Sequence, residues 1–463
     1  MKPVPLSRVA QWTGGRLDGP DVLIDAIATD TRTLDASDGR AALFIALKGE
    51  RFDGHAHVRD AIDAGARAAL VAHPVDAAIP QVVVADTERA LAAFAAAMQH
   101  ARNGKVVAIT GSNGKTSVKT LLLSILQRAA AEAGGVAYAN PGNRNNEIGL
   151  PLAVLDAPED ALYSIYEMGA GKPGDIAYLT AIARPDVALV NNIAPAHLER
   201  MGSLLGVADT KGAIYDALPA GGVAVINADD AFAPYFAERA HGRRLLRFGL
   251  DASADITARD VVATDGGTRF VLATPVGEIA VALALPGRHN LLNALAAASL
   301  ARGVGAPLPA IAAGLDAARA VAGRLVTHRL ANGATLIDDS YNANPGSLNA
   351  AIDTLAGLSG ESWLVLGDMR ELGVDAEALH AEAGRRAKAA GIARLYTLGP
   401  LSAAAAKAFG DGARHFENHA ALADALCPEL ADNVRVLVKG SRGSAMDRIV
   451  RALLPHAEDT HAS

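Results

Sequence analysis

The feature that most limits what this chain can fold into is an alternation. From Lys105 onward, the short apolar runs VVAIT, ALYSIYEMG, DVALVNNI and GVAVINADD are each followed by a helix-permitting stretch. Strands that read as near-continuous apolar runs are buried on both faces, and helical returns between them predict a parallel sheet with helices on either side. Around Ala254 to Leu285 the rhythm changes to strand, turn, strand, which predicts an antiparallel flank before a helix opens at HNLLNALAAASLA. After Gly323 the alternation resumes in ATLIDDS, SWLVLGDM, RLYTLG and VRVLVKGS, separated by alanine-rich helices. Before about residue 103 the chain mixes a strand-like AALFIAL, a helix-like HVRDAIDAGARA and the strand candidates AALVA and QVVVA. The expectation is an α/β protein of three domains: a small mixed unit over 1–103, a central, mostly parallel sheet over 104–322, and a dinucleotide-fold-like unit over 323–463.

The stretch TGSNGKTS, Thr110 to Ser117, lies between the apolar VVAI and the helical LLLSILQ. It departs from the G-x-x-x-x-G-K-[ST] phosphate loop, because Ile109 stands where the first glycine belongs. The chemistry is nevertheless complete. A loop joining a buried strand to a helix N-terminus offers unpaired N–H groups and a positive dipole end to an anion. Gly111 and Gly114 let that backbone come close, Lys115 can reach outer phosphates, and the Thr116 hydroxyl can join a magnesium shell. Ser112, Asn113 and Ser117 complete the expected nucleotide-binding loop, so the central domain reads as P-loop ATPase-like.

Further oxygen ligands belong at the ends of neighbouring strands. Glu167 closes ALYSIYE, where a carboxylate is costly to bury unless it meets a cation. His197 follows the next strand on a loop; a lone histidine is more often a packing or surface residue, but its place beside two other strand-end polar groups makes the ligand reading equally good. Lys211, in ADTKGAIYDAL, reads from its neighbours alone as a solvated helix lysine.

The formal net charge of -7, without any long Lys/Arg block, argues against nucleic-acid or anionic-membrane binding. No apolar run approaches the ~18 uncharged residues of a membrane span. The single cysteine, Cys427, and an N-terminal MKPVPLSRVA without an apolar core lead us to expect a cytosolic protein.

Taken together, TGSNGKTS, NPGNRNNEIGLPLAVL, EMGAGKPGDIAYL, NNIAPAHLERMGS, GRHNLLNALAAAS, DDSYNANPGSLNAAI, GDMRELG and KGSRGSAMDRIV resemble the Mur ligases, ATP-dependent enzymes that build the peptide stem of bacterial cell-wall precursors. The short phosphate loop is this family's usual form. The resemblance implies that Lys115 and Thr116 hold the ATP phosphates and a magnesium ion, with Glu167 as a further ligand. It implies that His197 binds a second magnesium and that Lys211 is carbamylated to help hold it, so that Lys115, His197 and Lys211 form the catalytic set. Asn290 would approach the adenine, and Arg324 and Asp339 would meet phosphate and ribose. Thr31 and Arg32 would hold the UDP end of the substrate, and Asn143 and Asn146 the sugar-peptide. Thr31, Ala213 and Asp175 depart from the family's usual serine and two glutamates. Within the family, DSYNANP, GDMRELG and NPGNRNN are most similar to the member that joins D-alanyl-D-alanine to a UDP-N-acetylmuramoyl-tripeptide, acting as a monomer. Beside this stand a sibling using another amine, a folate-type glutamate ligase, and a nucleotide-binding subunit that has lost ligation.

Overall fold

The computed structural model of the chain describes residues 1–37, 39–195, 198–264 and 267–454. Its architecture is mixed α/β with a sheet in each of three successive parts of the chain.

The first sheet has the order Arg16–Asp18, Gln81–Val83, Ala66–Val71, Ala42–Ile45, Ala26–Ala28, with only the Arg16–Asp18 pairing antiparallel. The stretch HVRDAIDAGARA does not stay helical throughout. Its helix covers Val58–Asp63, Gly65 turns the chain at φ 109°, and a strand begins at Ala66. Only glycine adopts that φ without strain, which is why the helix stops there.

The central sheet has six parallel strands in the order Arg244–Phe248, Val223–Asn227, Val187–Val190, Lys105–Thr110, Ala161–Glu167, Val136–Ala139. Val107, Ala108 and Ile109 are fully buried, as expected of a strand covered on both faces. The chain passes to one side of Lys105–Thr110 and then crosses to the other, so a crevice opens beyond the carboxyl ends of these strands. The antiparallel flank is a meander of Thr257–Thr264, Gly267–Thr274 and Gly277–Leu283. Alanine in the helix Arg288–Gly303 supplies small buried surface as well as helix propensity, with Ala294, Ala296, Ala297 and Ala298 at zero exposure. At Gly314, on the helix Leu308–Ala317, a Cβ would lie 2.4 Å from Ile125 Cα, so only glycine admits this approach to the helix Lys115–Glu132.

The last sheet runs Val326–Arg329, Thr335–Asp339, Val434–Lys439, Glu361–Gly367, Arg394–Leu398, Ala413–Phe416, parallel except for the Val326–Arg329 edge. The dinucleotide-fold-like expectation for this region agrees with that order.

Candidate active site

The strand Lys105–Thr110 delivers the loop directly to the helix Lys115–Glu132. Gly111 (φ 146°) and Gly114 (φ 78°) both need the glycine region of backbone space. A Cβ on Gly114 would lie 2.5 Å from Asn293 Oδ1 and 2.6 Å from Asn191 Nδ2. The loop is braced from the neighbouring strand end. The Ser112 N–H donates to the Asn192 carbonyl at 2.9 Å, the Asn113 N–H to Asn192 Oδ1 at 2.8 Å, and Asn191 Nδ2 to the Asn113 carbonyl at 3.0 Å. Among the described residues no side chain caps the helix N-terminus, and residues 112–117 line a cavity of about 440 Å³. Unpaired N–H groups at such a wall form an anion site.

Lys115 folds back on this loop, donating from Nζ to the Gly111 carbonyl at 2.7 Å. Burial pushes its pKa down, Glu167 opposes that shift, and Arg324 adds to it. Glu167, at the end of Ala161–Glu167, is only 3% exposed, so the cation that its burial demands must be present. That cation is Lys119, whose Nζ lies 3.2 Å from Glu167 Oε2. The same Oε2 accepts from Thr116 Oγ1 at 2.9 Å, and Oε1 accepts from Asn145 Nδ2 at 2.9 Å. Burial alone would raise the Glu167 pKa, but Lys119, Lys115 and these hydrogen bonds outweigh it and hold the carboxyl below its ordinary value.

From the last third of the chain, Arg324 Nη2 donates to Thr116 Oγ1 at 2.9 Å while its guanidinium lies 4.4 Å from the centre of the Tyr341 ring. Asp339 also lines the cavity, paired with Lys439 Nζ at 2.5 Å; burial raises its pKa and Lys439 opposes this. Asn290 is buried there, donating from Nδ2 to the Pro286 carbonyl at 2.7 Å. Asn344 caps the helix Pro345–Ala356 and donates from Nδ2 to Asn113 Oδ1 at 2.7 Å, a second tie between the two regions.

The solvated reading of Lys211 is corrected. On the helix Leu204–Asp216 it is 1% exposed, because its face of the helix packs inward. Burial drives its pKa well below the usual lysine range, Lys115 lowers it further, and Asp175 opposes. Among the described residues its Nζ has no hydrogen-bond partner.

Other expected residues are more dispersed. Thr31 and Arg32 lie on the short turn Thr31–Thr33, where Arg32 pairs with Asp30, and they line neither of the cavities described here. Asn143 lines the first cavity. Asn146 accepts from the Gly149 N–H at 2.8 Å and lines a second cavity of about 350 Å³ that meets the first at Lys115 and Asn145. His197 lies outside the described residues. Sequence reasoning passed over Lys119, Asn145, Asn191, Asn192, Asn344 and Lys439. Lys119 had a signal: three positions after Thr116, it shares that residue's helix face.

The donors fit a hard cation. Thr116 Oγ1 and Glu167 Oε2 are adjacent oxygens, and among the described residues no cluster of three or more His, Cys, Asp or Glu forms a dedicated cage. Magnesium suits such a place, since it is commonly held by one or two carboxylates together with substrate phosphates.

A strand–loop–helix phosphate site closed by an arginine from a second α/β unit defines an ATP-dependent ligase fold. The family description Mur ligase middle domain matches residues 109–301, Mur ligase glutamate ligase domain matches 323–442, and Mur ligase catalytic domain matches 24–104. The chain belongs to the Mur ligase family. It is 45% identical to the UDP-N-acetylmuramoyl-tripeptide--D-alanyl-D-alanine ligase of Escherichia coli (strain K12), over 97% of this chain and 98% of that protein. A crystal structure of MurF from Acinetobacter baumannii matches with a TM-score of 0.91 at 32% identity, covering 98% of this chain and 99% of that one. The MurF ligase of Thermotoga maritima, solved in complex with ADP, matches with a TM-score of 0.83 at 27% identity, covering 94% of this chain and 98% of that one. No described helix is long and apolar enough to cross a membrane.

Proposed function

We propose that this chain is the ATP-dependent ligase that adds D-alanyl-D-alanine to UDP-N-acetylmuramoyl-tripeptide in peptidoglycan precursor synthesis. The observation that carries the chemistry is the convergence of Lys115, Thr116, Glu167 and Arg324 on one cavity. The choice within the family rests on the near full-length likeness to the dipeptide-adding relative.

Joining a carboxylate to an amine requires a better leaving group than oxide. The γ-phosphoryl group of ATP is transferred to the tripeptide carboxylate, giving an acyl phosphate and ADP. The dipeptide amine then attacks the carbonyl, and the tetrahedral intermediate collapses to the amide and phosphate. Negative charge shifts among phosphoryl oxygens in the first step, so fixed cations and oriented N–H groups stabilise it without reorganising. Lys115, the helix N-terminus behind Gly114 and Arg324 supply these groups. Asn290 and Asp339 hold the nucleoside end, Asn143 and Asn146 the sugar-peptide, and Thr31 and Arg32 the UDP end.

Thr116 and Glu167 would hold one magnesium ion, which when bound neutralises charge on the transferring phosphoryl group. Lys211 is suited to carbamylation, because carbon dioxide adds to a neutral amine and burial favours the neutral form. The resulting anion would help hold a second ion with His197. The functional division follows the expected boundaries: 1–103 for the UDP substrate, 104–322 for ATP and ligation, 323–463 closing over the nucleotide. The protein works as a cytoplasmic monomer.

The test is an ADP-release screen across UDP-linked acceptors and candidate amines. Release should require both the tripeptide and D-alanyl-D-alanine. Equal turnover with free diaminopimelate or D-glutamate would move the chain to a sibling activity, and amine-independent or absent release would remove ligation.

A further inference from the structure

The cavity of about 350 Å³ beside the nucleotide site has a polarity that the phosphate chemistry does not explain. Lys115 forms the wall between the two cavities, so a carboxylate that is to meet the γ-phosphoryl group from the side away from ATP reaches it through this second space. Two more cations line it, Lys172 and Arg200, both exposed and neither within ion-pair distance of a carboxylate among the described residues. Two acids share the lining, Glu147 and Asp175, and the Asp175 Oδ2 is committed to the N–H groups of Gly171 and Lys172 at 2.8 and 2.9 Å, which leaves three cations, Lys115, Lys172 and Arg200, against them. The Arg200 guanidinium lies over the same turn: a Cβ on Gly171 would be 3.9 Å from Arg200 Nη1 and 4.0 Å from Asp175 Oδ2. Tyr178 adds an independent sign of an absent partner. Its hydroxyl oxygen is shielded from solvent, has no hydrogen-bond partner among the described residues, and belongs to a side chain on the cavity wall. Burial, with Glu88, Asp86 and Glu147 nearby, pushes its pKa up to about 12, so at neutral pH it remains a proton donor in search of an acceptor.

We propose that Arg200 and Lys172, with the Tyr178 hydroxyl, form a second carboxylate-binding subsite for a carboxylate of the stem peptide that does not react. The inference rests on the function proposed above and specifies how the acyl substrate is held. A stem peptide built through D-glutamate keeps one glutamyl carboxylate free, and diaminopimelate in third place adds another. Either presents the same chemistry to a guanidinium, which pairs with a carboxylate through two parallel hydrogen bonds.

The experiment compares wild type, Arg200→Ala, Arg200→Lys, Lys172→Ala and Tyr178→Phe with two substrates, UDP-N-acetylmuramoyl-tripeptides carrying L-lysine or diaminopimelate in third place. KM for each tripeptide, KM for ATP, and tripeptide binding by calorimetry with a non-hydrolysable ATP analogue are measured. Arg200→Ala should raise the tripeptide KM and Kd about tenfold or more, as expected for loss of a charge-assisted pair, while KM for ATP and the thermal midpoint hold. Arg200→Lys should recover part of the loss. A loss that is equal for both tripeptides assigns the subsite to the glutamyl carboxylate, and a loss confined to the diaminopimelate substrate assigns it to the third residue. An active wild type with unaltered tripeptide KM in Arg200→Ala and Lys172→Ala overturns the subsite alone. A wild type inert toward both tripeptides overturns the functional reading and the subsite with it.

Discussion

Arg324 donates a hydrogen bond to Thr116 Oγ1 at 2.9 Å, joining residues 208 positions apart in the chain. The hydroxyl it meets is the one that also donates to Glu167, so the arginine arrives at the place proposed above to hold phosphate and cation together. Arg324→Ala should lower kcat/KM by about a hundredfold, the usual scale for losing one preorganised donor to transition-state charge. Steady-state kinetics with ATP varied will measure it, and a loss below about threefold would remove Arg324 from the phosphoryl-transfer machinery.

Lys211 would couple a stability cost to the role proposed for it above. As the free amine its folded-state pKa lies well below the unfolded value of 10.5, so between those two values the unfolded chain holds a proton that the folded one lacks. Stability therefore rises with pH across that window and levels off above about 10.5. Lys211→Met should flatten this dependence and raise the unfolding midpoint, by about 2–4 °C for each kcal/mol relieved. The same variant, like Lys211→Ala, should lose at least about a hundredfold in turnover, and acetate or formate should partly restore Lys211→Ala. Near-normal turnover without rescue would end the carbamate reading.

Gly114 has no room for a side chain. With φ at 78° and a Cβ position 2.5 Å from Asn293 Oδ1, Gly114→Ala combines a left-handed backbone with a clash against the asparagine brace. The backbone term alone is about 1–2 kcal/mol. Calorimetric titration with an ATP analogue should show affinity reduced by at least about tenfold, and unchanged affinity would mean the loop adapts.

Lys119 and Glu167 form a pair with side chains 7% and 4% exposed. Removing one partner of such a pair costs about 3–5 kcal/mol, so Lys119→Met should be markedly less stable in denaturant titrations at pH 7. The folded pKa of Glu167 is below 4.5, hence its ionisation stabilises the fold above that pH, and the gain is lost as pH falls through the folded value. The wild-type and variant stability curves should accordingly converge in acid. Parallel curves would show that the pair contributes no net electrostatic stabilisation.

The closure proposed for the last part of the chain would need a place to bend. Between the helix Leu308–Ala317 and the strand Val326–Arg329, Gly323 (φ 72°) and Leu325 (φ 54°) sit on a turn closed by the Arg324 N–H to the Val321 carbonyl at 2.9 Å. A few dihedral changes there would swing the last sheet about the ATP site. Small-angle scattering with an ATP analogue and the UDP-tripeptide should give a smaller radius of gyration than the ligand-free protein. An unchanged value with both ligands bound would leave the swing without support.

Apart from the antiparallel meander, which its turns announced, the strands legible in the sequence were those inside the sheets. The passed-over strands Arg16–Asp18, Ala26–Ala28, Val136–Ala139, Arg244–Phe248, Val326–Arg329 and Ala413–Phe416 all lie at sheet edges. An edge strand needs no continuous apolar run, and THR or RH within it carries no pattern that separates it from a loop. The candidate site divides similarly. The phosphate loop is contiguous and was readable from local chemistry, and Glu167 was suspect because a strand end made its burial expensive. Lys119 and the bracing asparagines acquire their roles only through contacts with other strand ends.

By itself the sequence determined the parallel α/β character, the TGSNGKTS phosphate site and, through the spread of its motifs, the Mur ligase family. These follow from short-range pattern: strand and helix periodicity, and a turn whose N–H groups and lysine are consecutive in the chain. Only the tertiary structure decided that Lys211 is buried, that Lys119 neutralises Glu167, and that Arg324 reaches Thr116. Burial and ion pairing depend on which surfaces the folded sheets bring together, and for residues 48 to 208 positions apart no local periodicity encodes that meeting.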